Sequence, residues 1–185
     1  MSIIESIRGE YLRYKKLAEA AIAQVPDDKL AAMASDQSNS IVVICWHVSG
    51  NLKSRFADFL TSDGEKPWRK RDEEFDAREV SRADLLAKWE DGWSALTGAL
   101  SGLTDDALSR EVAIRGQSLS VIEALHRSLA HTSYHVGQIV YLAREAAGDK
   151  WTSLSIAKGQ SAAFNAKPSG QKPHEQIAAL DRKGT

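Results

Sequence analysis

Apolar residues recur three and four positions apart through four long stretches of the chain, and this period constrains the fold more than any other feature. The first stretch runs from Ser2 to about Gln24, and Pro26 ends it. Its apolar positions are Ile3, Ile7, Tyr11, Tyr14, Ala18, Ala21 and Val25. This spacing places apolar side chains on one face of a helix, and such a face must be buried against other elements.

The second and third stretches repeat this period and have their own boundary signals. The second is predicted to run from about Ser40 to Leu60, after a polar run and before the turn-forming residues TSDGEKP. The third begins at Ser81, whose spacing to Asp84 resembles a capping box with aspartate in place of glutamate. Both stretches are therefore predicted to be amphipathic helices.

The fourth stretch has the clearest signals at its two ends. Ser120 and Glu123 form a capping box, the helix runs to about Ala147, and Gly148 follows as a C-terminal stop. Just before it, residues 111–117 alternate like a short extended segment. Four long amphipathic helices in this order predict an all-α protein with a four-helix bundle.

The connection between the second and third helices is unusually long. It runs from Asp63 to Val80, is charged with mixed signs, and has Trp68 and Phe75 as its only large apolar residues. Loops of this length are often functional or mobile. This one is expected to cover either a pocket or a dimer interface, and the sequence does not choose between them.

The domain organisation is predicted to be simple. Residues 1–165 form one domain, in which residues 151–165 fold back as an irregular segment with one helical turn. From Ala166 the chain becomes polar and rich in Gly and Pro. Residues 166–185 are therefore predicted to be a flexible polar tail.

Charge and composition argue against several classes of protein. The chain has 24 Lys and Arg against 25 Asp and Glu, a formal net charge of -1, so nucleic-acid binding is not expected. Its one basic run, Lys66–Arg71, is followed at once by an acidic run, residues 72–76. No apolar run approaches the ~20 residues of a membrane span, and no apolar region of a signal peptide is seen. Cys45 is the single cysteine, which favours a reducing, cytoplasmic location.

Three histidines lie in the second and fourth predicted helices: His47 in ICWHVSGNLKSR, and His131 and His135 in HTSYHVGQIVYL. Neutral imidazoles are common protein ligands for divalent transition metals. Two histidines four positions apart lie on one side of a helix, so both can bind one ion. A third imidazole from a neighbouring helix would complete a three-histidine site with open coordination positions.

Helical geometry places the pair on the fourth helix beside its buried face. At about 100° per residue, His135 lies about 40° from His131, and the apolar stripe lies at roughly 80–180°. Both histidines are therefore on one flank of the core. His126 lies at about 220°, which excludes it as a ligand.

The second helix has the same arrangement. His47 lies beside the apolar stripe, with Asn51 at about 40° and Arg55 at about 80° on the histidine side. Antiparallel packing of the second and fourth helices would bring the two flanks together. Asn51 and Arg55 are then candidates to bind a ligand oxygen or a substrate carboxylate beside the metal.

A structural interpretation of the same residues stays open. A histidine at the edge of a core is often simply hydrogen-bonded, and two histidines four positions apart are a weak signal for a metal. Asn51 and Arg55 could be solvated polar groups near a helix crossing. Cys45, which lies within the apolar stripe and beside Trp46, is better explained as a small core residue than as a nucleophile.

Two blocks of the sequence carry a family resemblance. WHVSGNLKSRFADFLTSDGEKPWRKRDEEF, followed later by LAHTSYHVGQIVYLA, resembles the DinB-like (YfiT-type) superfamily of metalloenzymes, and most of all an uncharacterised subfamily with both blocks. The resemblance extends from Ile3 to about Asn165. It implies an up-down-down-up four-helix bundle, a homodimer formed through the bundle helices, and a metal held by His47, His131 and His135.

A metal held by three neutral histidines would keep its full positive charge and at least one open position. Zn²⁺ or Ni²⁺ is the expected ion, and Fe²⁺ or Mn²⁺ could also bind, because ligand type alone does not choose between them. A metalloprotease of the HExxH type is disfavoured, since Thr132 follows His131 where that motif has its glutamate base. We identified no Asp or Glu near the predicted site, so no catalytic residue is assigned.

Two classes of function are consistent with such a site. The resemblance implies a divalent-metal-dependent enzyme, a thiol-dependent S-transferase acting on small electrophiles with a low-molecular-weight thiol such as bacillithiol or mycothiol. A metal-dependent hydrolase is its closest variant. The alternative is a non-catalytic, metal-stabilised bundle that acts as a binding or stress-related module. An open coordination position favours the enzyme, and a fourth protein ligand favours the structural role.

Overall fold

A serine side chain caps each long helix in the computed structural model, which describes residues 2–182. The serine oxygen accepts a hydrogen bond from the backbone N–H three residues on, which satisfies one of the free donors of the first turn. The capping residues are Ser2, Ser40, Ser81 and Ser120. The helices that they begin are α1 (Ile3–Ile22), α2 (Ile41–Phe56), α3 (Arg82–Ser101) and α4 (Val121–Ala147). The four predicted helices are confirmed, and α4 begins with the predicted capping box.

One boundary differs from the prediction. α2 ends at Phe56 and not at Leu60, because Ala57 is extended with ψ 124° and Asp58 has φ 50°. The carbonyl of Asp58 then accepts hydrogen bonds from the next turn. Phe59 is buried although it lies outside the helix. The apolar spacing in the sequence therefore continues past the end of α2.

Shorter elements occupy the connections. Residues Asp72–Phe75 form a 3-10 helix within the long connection after α2. Just before α4, β1 (Glu111–Ile114) and β2 (Gln117–Ser120) form an antiparallel hairpin. Its turn residues, Arg115 and Gly116, both have positive φ, as the tight turn of a two-residue hairpin requires.

The C-terminal part contains two more helices, α5 (Ser161–Ala166) and α6 (Pro173–Asp181). The predicted polar tail of residues 166–185 contains a regular helix, α6, which packs against α1 and buries Leu180. A polar, Gly- and Pro-rich composition concealed this helix, although proline is well tolerated at the first position of a helix. Residues 183–185 of the predicted tail lie outside the described residues, and a domain boundary at residue 165 stays a prediction.

The long helices share one hydrophobic core. α2 packs against α3 and α4, and α1 packs against α4 and α3. The ring of Tyr11 on α1 meets Phe56 of α2 and Trp93 of α3 edge-on, with centroids 6.4 Å apart in both pairs. Its hydroxyl donates to the carbonyl of Leu125 on α4 over 2.9 Å, which satisfies the one polar atom of this buried side chain. One residue thus connects all four helices.

A glycine fixes the distance between α2 and α3. A Cβ on Gly92 of α3 would lie 2.5 Å from the Cα of Ser49 on α2, so a larger residue would push the helices apart. The Ser49 hydroxyl donates to the carbonyl of Lys88 at the same contact. The backbone that carries His47 is therefore held closely against α3.

Within residues 2–182 the protein is mostly helical, with six α-helices and one two-stranded sheet. None of these helices combines the length and the apolar character that crossing a lipid bilayer demands.

Candidate metal centre

His47, His131 and His135 come together between α2 and α4. One ring nitrogen of each lies within 4.8 Å of a ring nitrogen of the other two, and the ring centroids are 4.6 to 5.2 Å apart. His47 is buried, and the two histidines of α4 are half-buried. Among residues 2–182, no fourth His, Cys, Asp or Glu joins this cluster. The three residues predicted as ligands are therefore close enough to bind one ion.

A buried carboxylate orients the ring of His47. Glu74, in the 3-10 helix after α2, accepts a hydrogen bond from Nδ1 of His47 over 2.9 Å. Because a carboxylate accepts and does not donate, Nδ1 carries the proton, and in the neutral form of the ring the lone pair is on Nε2. Phe75 packs against the same ring at a tilt of 35°, with centroids 4.7 Å apart. Two neighbouring residues of one short helix thus fix the direction of the Nε2 lone pair.

Arg69 holds Glu74 in turn. Its Nε and Nη2 donate to Oε1 and Oε2 of Glu74, each over 2.8 Å, in the two-pronged geometry typical of arginine with a carboxylate. The two side chains are only 2% and 9% exposed. Burial by itself raises the pKa of Glu74, but the hydrogen bonds from Arg69 and His47 outweigh burial, and the pKa lies below its usual value. Glu74 is therefore a charged acceptor near neutral pH.

Gly50 makes room for this carboxylate. It lies on α2, nearly one turn after His47, and a Cβ there would collide with Oε1 of Glu74. Glycine inside a helix costs about 1 kcal/mol relative to alanine, so its presence here needs a reason. The contact with Glu74 supplies one.

The histidines of α4 are held by fewer contacts. Nδ1 of His135 bonds to the side-chain oxygen of Gln138, one turn further along the helix, over 2.8 Å. Nδ1 of His131 is buried and has no hydrogen-bond partner within the described part of the chain. Its Nε2 lies 3.2 Å from Nε2 of His47. Local helix geometry, and little else, brings these two rings to the site.

The proton positions fit an ion bound through Nε2 atoms. Glu74 keeps the proton of His47 on Nδ1, and the Gln138 oxygen does the same for His135, so both Nε2 atoms are free to coordinate. His131 directs its Nε2 at the same place. Without an ion, two nitrogen atoms 3.2 Å apart can form at most one hydrogen bond between them. A divalent cation would satisfy every nitrogen that points into the cluster.

The ring charges also suit a metal. Burial, followed by the nearby imidazoles of His135 and His47, lowers the pKa of His131 from 6.5 to about 4. Burial is also the main reason why the pKa of His135 is lowered, and the bond to Gln138 opposes it. Both rings are therefore neutral near pH 7, which is the form that binds metal.

A cavity of about 190 Å³ adjoins the cluster and is bounded by His47 and His131. The predicted contact residues Asn51 and Arg55 both lie in its wall, one and two turns along α2 from His47. The guanidinium of Arg55 donates to the carbonyl of Gly64 and lies 3.3 Å from Glu65. The structure thus brings both residues to the cavity, and their contact with a substrate stays a prediction.

The long connection after α2 closes this cavity from one side. Asp63 accepts hydrogen bonds from the backbone N–H groups of Arg115 and Gly116, over 2.8 and 2.7 Å, in the turn of the hairpin. Backbone donors, first among them the N–H of Glu65, lower the pKa of Asp63 to about 2. The loop of residues 63–80 is therefore attached to the hairpin through Asp63, and further along it places Glu74 against His47.

Sequence reasoning missed Glu74, Arg69 and Gln138. We had identified no acidic residue near the site, and Glu74 corrects that statement, although it bonds Nδ1 of His47 and is not itself among the clustered ligand atoms. Gln138 could have been found, because a residue three positions after His135 shares its helix face. No comparable signal singles out Glu74 within the acidic run of residues 72–76.

Comparison with known proteins gives one match. The family model described as "protein of unknown function (DUF1572)" matches residues 1–160. Neither a curated protein nor a solved structure matches the chain.

Proposed function

We propose that this chain, which belongs to the DUF1572 family of proteins of unknown function, is a divalent-metal-dependent enzyme with His47, His131 and His135 as ligands. One observation carries the proposal: three imidazoles converge beside a cavity, and no fourth His, Cys, Asp or Glu of residues 2–182 completes the set. Catalytic metal sites typically keep such an open position, whereas structural sites are closed by a fourth ligand.

The proposal extends to the fold family. Four long helices in a closed set of contacts around one core support a DinB-like four-helix bundle. In that arrangement the second helix supplies one ligand and the fourth supplies two, as the resemblance of the two sequence blocks implies.

The chain's own residues have distinct roles in this proposal. Glu74 and Arg69 orient His47, and Gln138 orients His135, so the ligands are preorganised before an ion binds. Asn51 and Arg55 would position the substrate in the cavity. A bound Zn²⁺ or Ni²⁺, or Fe²⁺ or Mn²⁺, would supply Lewis acidity and lower the pKa of a water or thiol in the open position.

A thiol-dependent S-transferase acting on small electrophiles is the reaction that we favour. Cys45 is the only cysteine, it is fully buried in the core, and burial raises the pKa of its thiol far above the usual value. A nucleophilic sulfur would therefore have to come from a low-molecular-weight thiol. The metal-dependent hydrolase uses the same ligands with water in place of the thiol.

A metal-stabilised, non-catalytic module is the second candidate. The ligands come from α2 and α4, so an ion would tie these helices together and stabilise the folded state. The adjoining cavity favours the enzyme, because a purely structural ion does not need an empty cavity beside its open coordination position.

The proposed homodimer has its own support. Tyr134 and Tyr141 lie seven positions apart on α4 and are 64% and 66% exposed, so one face of this helix presents two aromatic rings to solvent. Exposed tyrosines of this kind are enriched at interfaces between proteins. Light scattering coupled to gel filtration would give twice the mass of the chain for a dimer.

The decisive experiment is metal analysis by inductively coupled plasma mass spectrometry on tag-free protein. Wild-type protein should contain about one equivalent of a divalent transition metal, as a three-histidine site predicts, and His131→Ala should lose it. His126→Ala is the matched control, since His126 lies on the same helix, is exposed and is not in the cluster. It should keep the metal.

The outcome then separates the two candidates. Acceleration of thiol addition to a small electrophile by the metal-loaded wild type, lost in His131→Ala, would support the transferase. A metal that raises the unfolding temperature without any acceleration would favour the structural module. If the correctly folded wild type takes up no metal on reconstitution, both candidates are wrong.

A further inference from the structure

The cavity beside the histidine cluster is rich in arginine. Five arginines line it: Arg55, Arg69, Arg71, Arg115 and Arg127. Within the described part of the chain, no Asp or Glu contributes to this lining. The contrast with the whole chain, whose formal charge is -1, shows that positive charge is concentrated here.

Few carboxylates neutralise these charges. Glu65 is shared by two guanidiniums, Arg115 at 2.8 Å and Arg55 at 3.3 Å. Glu74 is shared between Arg69 and the ring of His47. Asp72, which lies 3.5 Å from Arg71, is fully exposed, so water screens that pair. Five guanidinium groups thus face three paired carboxylates, Glu65, Glu74 and the exposed Asp72, which leaves an excess of two positive charges.

The guanidiniums also act on one another. Burial is the main reason why the pKa of Arg55 is lowered, and the charges of Arg69 and Arg115 lower it further, against the opposing effect of Glu65. Like charges around one cavity repel one another, and an anion bound among them would offset that repulsion. Arg127, on the α4 turn before His131, makes no ion pair with any carboxylate of residues 2–182 and so has its donors available.

We infer that this cavity binds an oxyanion, the carboxylate or phosphate group of a small molecule, through the guanidiniums of Arg127 and Arg115 with Arg55 behind them. Guanidinium groups are planar forks of donors that match both kinds of oxyanion. The volume of about 190 Å³ is below the ~300–1,000 Å³ of pockets for drug-sized ligands, which limits the ligand to a small metabolite.

This inference rests on the proposed function in one respect. If the histidine cluster is a catalytic metal centre, the oxyanion belongs to its substrate, and the cavity places the rest of that molecule beside the open coordination position. The substrate class is then a small anionic electrophile, in which the charged group binds the arginines and the reacting carbon lies toward His47 and His131.

Calorimetric titration of the full-length protein tests the inference, with inorganic phosphate and malonate as probes. Two forms are compared, protein loaded with Zn²⁺ and the same protein after treatment with a chelator. We expect both forms to bind at least one probe, and the tighter probe indicates whether the natural group is a phosphate or a carboxylate.

Two variants locate the bound anion. Arg127→Gln and Arg115→Gln should each weaken binding to the chelator-treated protein by at least about tenfold, the loss expected for one charge-assisted hydrogen bond. Arg144→Gln is the matched control, because Arg144 is exposed on the same helix as Arg127 and does not line the cavity. It should bind the anion like the wild type.

The outcomes distinguish this inference from the proposed function. Binding of neither probe to the chelator-treated protein, or equal binding to all four proteins, would show that the arginines do not form an anion site. If anions bind only in the Zn²⁺ form, the ion and not the cavity holds them, and the metal proposal stands alone. If the protein takes up no metal but binds anions in a way that depends on the arginines, the anion site is supported and the proposal of a metal-dependent enzyme is wrong.

Discussion

His47 on α2 and the two histidines on α4 contribute to the same cluster, but different parts of the molecule hold them. His47 is fixed from a distance, by Glu74 and Phe75 of the long connection and by Arg69 behind them. His135 is held by Gln138 of its own helix, and Nδ1 of His131 has no partner among residues 2–182. The position of one histidine therefore depends on tertiary structure, and the positions of the other two depend mainly on the geometry of a helix.

Because of this difference, some contacts at the cluster stabilise the fold, and others only orient a histidine. The Arg69–Glu74–His47 chain is buried, so its loss should unfold or loosen the connection over the cavity as well as misalign the ring of His47. The Gln138–His135 contact is local and can be lost at little cost to the fold. Substitutions on the two sides should therefore affect stability very differently and metal affinity more equally.

Glu74→Ala should have the largest effect on stability. It leaves the buried guanidinium of Arg69 without its partner, and breaking a buried ion pair from one side costs about 3–5 kcal/mol. Urea denaturation of the metal-free protein measures this loss. Gln138→Ala, the counterpart on α4, should cost less than about 1 kcal/mol, as expected for one partly exposed hydrogen bond. Similar losses in the two variants would contradict the comparison.

Gly50→Ala disturbs the position of Glu74 without removing a charge. The new Cβ collides with the carboxylate of Glu74, and inserting a methyl group into a well-packed site typically costs about 1–3 kcal/mol. Gly98→Ala on α3 is the matched control, since its Cβ would meet nothing within 4 Å. Alanine is the better helix former, so Gly98→Ala should stabilise the protein by up to about 1 kcal/mol. Stabilisation by both substitutions would show that Gly50 does not serve Glu74.

Metal affinity should depend on both sides of the cluster. Glu74→Gln keeps the shape of the side chain but removes the charge that holds His47, and such outer partners are typically worth 10–100-fold (about 1.4–2.7 kcal/mol) in metal affinity. Gln138→Ala should fall at the lower end of that range, roughly tenfold, because the helix still directs His135. Competition with a chromogenic chelator gives both values. A greater loss in Gln138→Ala than in Glu74→Gln would reverse the comparison.

The stability of the metal-free protein should also depend on pH. His131 has a pKa of about 4 when folded and 6.5 as its ordinary value, so between these values the unfolded chain binds a proton that the folded chain does not. Stability contributed by the neutral ring is therefore present above about pH 6.5 and is lost as the pH falls toward 4. Thermal unfolding at several pH values should show a shallower slope for His131→Gln. His126→Gln should retain the wild-type slope.

Much of the scaffold follows from local rules that can be applied to the sequence. The serine caps and the three-and-four period place all four long helices, because both depend on residues within one or two turns. The same helical geometry put His131 and His135 on one flank of α4, and His47 with Asn51 and Arg55 on one flank of α2. α6 was not predicted because its polar composition resembles that of a tail. Leu180 is buried because α6 packs against α1, which the sequence does not show.

The outer part of the site could not be found in this way. Glu74 is 27 residues from His47 and stands among several acidic residues of one run. Only the path of the connection, attached through Asp63 to the hairpin and fitted over Gly50, decides which carboxylate meets the ring. The arginines of the cavity come from α2, the long connection, the hairpin and α4, so no stretch of sequence shows them together.

The sequence by itself determined the four long helices, their buried faces and the three histidines that lie beside those faces. These properties come from interactions between residues a few positions apart, and the same side-chain pattern appears wherever the backbone is helical. Tertiary structure alone decided which carboxylate orients His47 and that five arginines share one cavity. Such contacts join residues far apart in the chain, and they are set by how the helices and the connection pack in three dimensions.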